Sequence, residues 1–401
     1  MVVNKGTSKI SVPGFLANGI SVGIKNGPEK DLALIYSKVP AKVAAVFTKN
    51  IFKAAPVLID MDRVKRGMAQ AIITNSGCAN AATGKDGYKD ALAISAALST
   101  QLKIKEEMIL LGSTGIIGKR LPVKKIESGI GTLVKGLNEF GIEDAEAAIM
   151  TTDKYPKISI RKGIVGAKDI TICGIAKGAG MIEPNMATLL TYVMTDALID
   201  SKALNTVFHQ AIDATFNSIS VDGCMSTNDT AIILANGLAG NNPLERAQAR
   251  LQRFRDMLTD VLMELCHAVV KDGEGATKFI SIIVECAKSR SDARRAAYAI
   301  ANSNLVKTAF FGEDPNWGRI IAAIGSSGIP VEKEKITLSI GNMPVYSQDT
   351  PVNINHAKLK EIFQRDKIDV RVGLGGGDKS YCVYTSDLSH DYVKINADYS
   401  T

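Results

Sequence analysis

Apolar positions recur at 3.6-residue spacing over 200–216, where Leu204, Val207, Phe208, Ala211, Ile212 and Phe216 follow an Asp200-Ser201 start. This predicts a helix that buries one face. A second stripe, with Leu251, Phe254, Leu258, Val261, Leu262 and Leu265 set among Arg, Asp and Glu, predicts a long helix over about 244–270. An alanine-rich run over 293–306 predicts a third. β-Branched runs bounded by Gly, Asp or Asn predict strands at 169–175, 188–194, 230–234 and 278–285. Farther on, 335–340, 368–373 and 379–385 read as short strands around a small helix near 356–364, a set compact enough to form its own C-terminal subdomain. Helices and strands do not alternate regularly, which favours a layered α+β fold over a doubly wound one. The run Gly373-Leu374-Gly375-Gly376-Gly377-Asp378 reads as a tight turn between two strands, since no helix follows it.

Composition narrows the class. A chain of 401 residues, 46% hydrophobic, is too long for one ordinary core and predicts two or three globular units. The net charge of +7 comes from 48 basic against 41 acidic residues dispersed along the chain, which argues against nucleic acid as a partner. The densest basic patch, Lys119, Arg120, Lys124 and Lys125, has no interleaved aromatics and reads as a solvated helix entry. A mild positive balance still steers small anions. Six cysteines without CxxC spacing predict reduced thiols, mostly small core residues, and four scattered histidines give little support to a histidine-built metal site. No apolar run is long enough to span a membrane, so a cytoplasmic protein is expected.

Three segments are denser in glycine and polar residues than a plain core requires. In Gly112-Ser113-Thr114-Gly115-Ile116-Ile117-Gly118 the glycines let backbone amides face an anion or oxyanion, and equally suit a strand-to-helix turn. Thr74-Asn75-Ser76-Gly77-Cys78-Ala79-Asn80-Ala81-Ala82-Thr83-Gly84 is a small-residue loop open to close approach by substrate or backbone. In Lys177-Gly178-Ala179-Gly180-Met181-Ile182-Glu183-Pro184-Asn185-Met186-Ala187-Thr188-Leu189-Leu190, Thr188 follows a small alanine. Freed by cleavage at Ala187, Thr188 would carry its own α-amine, with a reference pKa of roughly 7.7–8.0 suited to proton abstraction near neutral pH. The same residues also open a buried strand. Glu274, in Asp272-Gly273-Glu274-Gly275-Ala276-Thr277-Lys278, can hold a cationic amine or simply end a helix.

Taken with Phe47-Thr48-Lys49-Asn50, Ser220-Val221-Asp222-Gly223-Cys224-Met225-Ser226-Thr227-Asn228-Asp229-Thr230, Gly312-Glu313-Asp314-Pro315-Asn316-Trp317-Gly318-Arg319 and the tail Asn396-Ala397-Asp398-Tyr399-Ser400-Thr401, these motifs resemble the ornithine acetyltransferase family, the glutamate N-acetyltransferases of arginine biosynthesis. The resemblance covers nearly the whole chain. It implies a layered α/β/β/α-type sandwich core, a self-processing N-terminal-threonine enzyme, and a smaller α+β C-terminal subdomain at 286–401, the boundary falling near 285. It implies cleavage between Ala187 and Thr188 into fragments 1–187 and 188–401, assembled as α2β2. By carry-over, Thr188 is the acyl-accepting nucleophile, Thr114 and Gly115 form the oxyanion hole, and Lys177, Glu274, Asn396 and Thr401 hold substrate. Thr151 or Thr152 adds a further contact, with Thr151 favoured. The implied reaction moves acetyl from N-acetylornithine to glutamate without a cofactor. Acetyl-CoA as a further donor stays open. The chain departs from the family pattern at Cys78, where asparagine is usual, and at Ala82, often cysteine; both keep a small residue.

Two other readings compete. A self-cleaving amidase or aminopeptidase would pass the acyl group to water, and the substrate shell of Lys177, Glu274, Asn396 and Thr401 argues against it. A non-catalytic metabolite-binding protein would use the glycine segments for an anion and leave Thr188 structural.

Overall fold

The computed structural model describes residues 9–183, 189–245 and 249–398. The expected sites Ala187, Thr188 and Thr401 lie outside the described residues. One sheet is built from β1 (Phe15–Ile20), β2 (Leu32–Phe47), β3 (Met68–Cys78), β4 (Ile109–Ile116), β5 (Ile158–Val165), β6 (Lys168–Lys177) and β7 (Leu190–Thr195), joined, after β8 (Ile219–Ser220) departs to a second sheet, by β9 (Thr230–Ala235). Its order is β4-β3-β2-β9-β7-β6-β5, with β1 beside β2.

The 16-residue β2 explains how this sheet becomes two layers. Its register with β3 breaks between Tyr36 and Ala41; its first half pairs with β1 and β3, and its second with β9, keeping β3 only at Ala41 and Lys42. A break of this kind bends and twists a strand, so the β3–β4 side folds over the β9–β7–β6 side. Side chains that alternate along each strand then fill the space between: Ala33, Ile35, Ile72 and Leu110 meet Cys173, Ile175, Tyr192, Met194 and Ile232. The Thr74 hydroxyl donates to the Tyr192 hydroxyl across this interior at 2.9 Å. The opposite parity, Leu32, Leu34, Ala71, Ile73, Ile109 and Leu111, faces out against α1 (Ala55–Arg63), α2 (Gly84–Leu102) and α3 (Val123–Lys135). Helix α4 (Ile142–Ile149) plugs the interlayer core. On the far side α5 (Ser201–Ala214) and α6 (Ala249–Lys271) cover Ile170, Ile172, Val193, Ala231 and Ile233. The result is the expected α/β/β/α sandwich.

The second sheet contains β10 (Phe279–Ala287), β11 (Thr337–Ile340), β12 (Met343–Ser347), β13 (Thr350–Pro351), β14 (Lys367–Gly373) and β15 (Lys379–Ser386), in the order β13-β12-β11-β14-β10-β15-β8. Helices α7 (Arg290–Ala301), α8 (Asn304–Phe311), α9 (Gly318–Gly325) and α10 (His356–Phe363) pack on the face formed by Ile280, Ile282, Val284, Val370 and Val372. The boundary expected near 285 falls inside β10, a central strand of this sheet. Helix α11 (His390–Asp398) returns to the sandwich.

The helix expected over 200–216 is α5, whose Asp200 carboxylate caps the amides of Lys202 and Ala203, and Phe216 falls in the 3-10 turn that follows. The helix expected over 293–306 is two, α7 and α8, broken where the Ser303 hydroxyl accepts from Val306 N at 3.4 Å; serine competes for backbone partners better at a cap than within a helix. The Gly373–Gly377 stretch links strands that are not neighbours. It crosses the end of β10, and the amides of Gly376 and Gly377 donate to Cys286 O at 2.7 and 3.1 Å. Gly112 to Gly115 and Thr74 to Cys78, expected as turn and loop, are the ends of β4 and β3. Of the cysteines, Cys78, Cys173 and Cys266 are buried, whereas Cys224 and Cys286 are exposed.

Candidate active site

One cleft at the mouth of the sandwich, of about 570 Å³ counting its open side, gathers all seven described residues expected in the site: Thr114, Gly115, Thr151, Thr152, Lys177, Glu274 and Asn396. They arrive from the end of β4, the turn after α4, the end of β6, the loop after α6, and α11.

At the β4 end, the backbones of β3 and β4 approach so closely that Gly115, at φ +124°, has no room for a side chain; a Cβ there would sit 2.6 Å from Cys78 N. The Ser113 hydroxyl donates to Asn75 Oδ1 at 2.6 Å and Asn75 Nδ2 to Cys78 O at 2.8 Å, so both strand ends are held rigid.

Lys177 is buried at the last position of β6. Its ammonium donates to Thr151 Oγ1 at 2.7 Å, reaches Thr114 Oγ1 at 3.4 Å, and lies 3.9 Å from Asp153 Oδ2. Burial lowers the Lys177 pKa, against the opposing pull of Asp153. Asp153 in turn accepts from Thr151 N at 2.9 Å, Gly178 N at 2.7 Å and Lys157 Nζ at 2.7 Å. Burial alone would raise its carboxyl, but Lys177 and Lys157 hold it well below the usual carboxylate range. Lys157, its side chain fully buried, bridges Asp153 to Asp272 at 2.5 Å. Asp272 also accepts from Lys154 N. The loop bearing Thr151 and the loop bearing Glu274 are therefore joined beneath the cleft by an ionic ladder.

Glu274 stands in the same cleft as the Lys177 cation. Its Oε2 accepts from Asn396 Nδ2 at 2.8 Å, and its backbone amide donates to Ala179 O at 2.9 Å. Gly180 lies against its carboxylate: a Cβ there would come 2.5 Å from Oε1 and closer still to Cδ and Oε2. The adjoining Met181 adopts φ +59°, and Asp222 accepts from the amides of Met181 and Ile182 at 2.6 and 2.9 Å.

Ser226, Thr227 and Asn228 also line the cleft. They and the Asp153–Lys157–Asp272 ladder were missed as site residues in the sequence. The ladder has one local signal, the i,i+4 spacing of Asp153 and Lys157, but that spacing is equally that of an exposed pair. Between them Thr151 and Thr152 both line the cleft, and Thr151 is the one that bonds Lys177. Among the described residues no group of histidine, cysteine and carboxylates could hold a metal ion, and no helix is long and apolar enough to cross a membrane.

Fold and cleft together define an α/β/β/α sandwich protein with a small cleft, lined by Lys177 and Glu274, at the mouth between its two sheet layers. The chain matches the ArgJ family over residues 16–401. It is 48% identical over 393 residues to the arginine biosynthesis bifunctional protein ArgJ of Geobacter sulfurreducens, covering 98% of this chain and 100% of the relative. It is 46% identical over 398 residues to the protein so named from Caldanaerobacter subterraneus subsp. tengcongensis, covering 98% of each. Among solved structures, a chain of the ArgJ protein of Bacillus halodurans is similar with a TM-score of 0.50 and 38% identity, covering 52% of this chain and 98% of that one. The chain belongs to the ArgJ family.

Proposed function

We propose that this protein is an acetyltransferase of arginine biosynthesis that cuts itself between Ala187 and Thr188 and then moves acetyl from N-acetylornithine to glutamate through an acetyl ester on Thr188. The observation that carries the reading is the convergence of Thr114, Gly115, Thr151, Lys177, Glu274 and Asn396 on one cleft from distant parts of the chain. Half-chain coverage of the Bacillus halodurans structure, almost complete for that chain, is what a relative present as two separate chains would give.

In this reading Thr188 Oγ attacks the acetyl carbonyl while its freed α-amine takes the proton. The Thr114 hydroxyl and the Gly115 amide receive the tetrahedral oxyanion. The carbon–nitrogen bond breaks, the ornithine amine leaves with the proton, and the glutamate amine attacks the ester in the mirror step. Lys177, joined to Thr151, takes the α-carboxylate common to both substrates as a charge-assisted donor. Glu274, bonded to Asn396, takes the ornithine ammonium, and Asn396 and Thr401 hold substrate, as the resemblance implies. The fragments 1–187 and 188–401 would assemble as α2β2 in the cytoplasm, with no cofactor, and acetyl-CoA would serve as a second acetyl donor.

A denaturing gel tests the first step: the purified protein should run as two fragments split before Thr188, and Thr188→Ala should stay intact and inactive. Acetyl transfer by an uncut Thr188→Ala chain would refute the mechanism. Ornithine release from acetylornithine that ignored glutamate would instead indicate the amidase reading.

A further inference from the structure

The sheet ladder holds Leu189 beside the start of β9, where Thr230 N donates to Leu189 O at 3.0 Å, and leaves the β4 end to be placed from the other layer. Thr114 ends β4 in one layer, whereas Leu189, the residue following Thr188 in sequence, leads into β7 in the other, and three strands separate β4 from β7 in the order of the sheet. One dipeptide on the approach to β9 touches both sides. Asn228 Nδ2 donates to Ser113 O at 2.8 Å, next to Thr114, and to Ala79 O at 2.7 Å. Asp229 Oδ1 accepts from Leu189 N at 3.1 Å. Both residues are buried. Burial pushes the Asp229 carboxyl well above its usual range, and at Oδ1 an asparagine amide oxygen can accept the same bond from Leu189 N.

This dipeptide is itself gripped. Thr48 N donates to Asp229 O at 2.9 Å, the Thr48 hydroxyl donates to Ser226 O at 2.7 Å, and Asn50 Nδ2 donates to Met225 O at 3.1 Å. Two motifs without an assigned chemical role, Phe47 to Asn50 and Ser220 to Thr230, thus brace one another around Asn228 and Asp229.

We infer that Asn228 and Asp229 form a positioning clamp that fixes the Thr114 strand end against the Leu189 strand start, and so sets the separation of oxyanion donors and nucleophile for both self-cleavage and acetyl transfer. The clamp rests on the proposed reaction, in which those two groups must address one carbonyl. An error of about 1 Å in such a pair is worth about a hundredfold in rate, so Asn228, which reaches the β4 end from the start of β9, and Asp229, which holds Leu189 beside it, are the parts to which rate should be most sensitive.

The test uses full-length Asn228→Ala, Asp229→Leu and Asp229→Asn, scored on the folded fraction for cleavage by gel, for kcat and KM with acetylornithine and glutamate, and for Tm. Asn228→Ala should lower kcat about tenfold to a hundredfold with KM changed by less than about threefold. Asp229→Leu should slow cleavage at least about tenfold, and Asp229→Asn, which keeps the acceptor for Leu189 N, should recover most of that rate. Asp229→Ala serves if the leucine variant does not fold. A merely structural role would lower Tm and yield while leaving kcat and cleavage of the folded protein at wild-type values, and that result overturns the clamp. Asp229→Asn as slow as Asp229→Leu also overturns it. A wild-type chain that neither cuts nor transfers refutes the parent reaction, and the clamp falls with it.

Discussion

Gly180→Ala separates foldability from function. Gly180 has an ordinary φ, so alanine is allowed by the backbone; what opposes it is the Glu274 carboxylate, 2.5 Å or less from the new Cβ. Ordinary carbon–oxygen contact needs more than 3 Å, so the carboxylate must retreat by roughly 1 Å, a motion that a flexible side chain makes at little cost to stability. The 2.8 Å bond from Asn396 Nδ2 to Glu274 Oε2 then breaks. A hydrogen bond to a charged group is worth about 1.5–3 kcal/mol, and a misplacement of that size costs on the order of a hundredfold. The expected outcome is a fall of ten- to a hundredfold in kcat/KM for acetylornithine, with the cleavage pattern on a gel unchanged and the Tm lowered by only a few degrees, as the loss of one such bond requires. The double variant Gly180→Ala/Glu274→Asp, one methylene shorter, should recover part of the loss. Wild-type kinetics in Gly180→Ala would refute the assignment of Glu274 to the substrate, because the carboxylate cannot keep its position beside a Cβ.

Lys157→Met should destabilise the protein by about 3–5 kcal/mol, since it strands Asp153 and Asp272 in a fully buried site; a thermal melt showing a loss below about 1 kcal/mol would mean that water reaches the ladder. The Glu146 carboxyl is pushed up to about 7 by burial, against the opposing hydrogen bond from Lys157 N. Because this folded-state value lies above the unfolded one, the folded protein binds the extra proton, and stability is lost as pH rises from about 4.3 toward 7. The Tm should therefore fall between pH 5 and pH 8, and fall less in Glu146→Gln; equal slopes would exclude Glu146 as the source.

The amphipathic stripes were legible because each is local. Phe254, Leu258, Val261 and Leu265 announce α6 whatever it packs against, and Asp200 announces the start of α5. Strand β6 and strand β9 were read to within a few residues for the same reason. The strands β1 and β2 were not read: in β2, Ser37-Lys38-Val39-Pro40 interrupts the alternation at the very place where the strand bends from one layer to the other. The ends of β3 and β4 passed for loops because glycine and small polar residues carry no β signal, yet the parallel ladder pairs Asn75 with Ser113 and Ser76 with Thr114. In the site, resemblance picked out Lys177, Glu274 and Asn396. Lys157, Asp272, Asn228 and Asp229 act through contacts with residues far away in sequence; the i,i+4 spacing of Lys157 and the motifs holding the other three mark them without saying what they touch.

What the sequence determined by itself is those helices and strands with a clear local period and which side chains are chemically suited to the proposed reaction, since periodicity and functional groups are properties of short stretches. Tertiary structure alone decided that one sheet folds into two layers, that Thr114 and Lys177 meet at the mouth between them, and that buried charges there are paired. Those outcomes depend on the burial of groups brought together from across the chain. A lysine at position 157 is an ordinary surface residue until two carboxylates and a closed core make it an ion that cannot be removed without leaving Asp272 without that cation and Asp153 facing Lys177 without it.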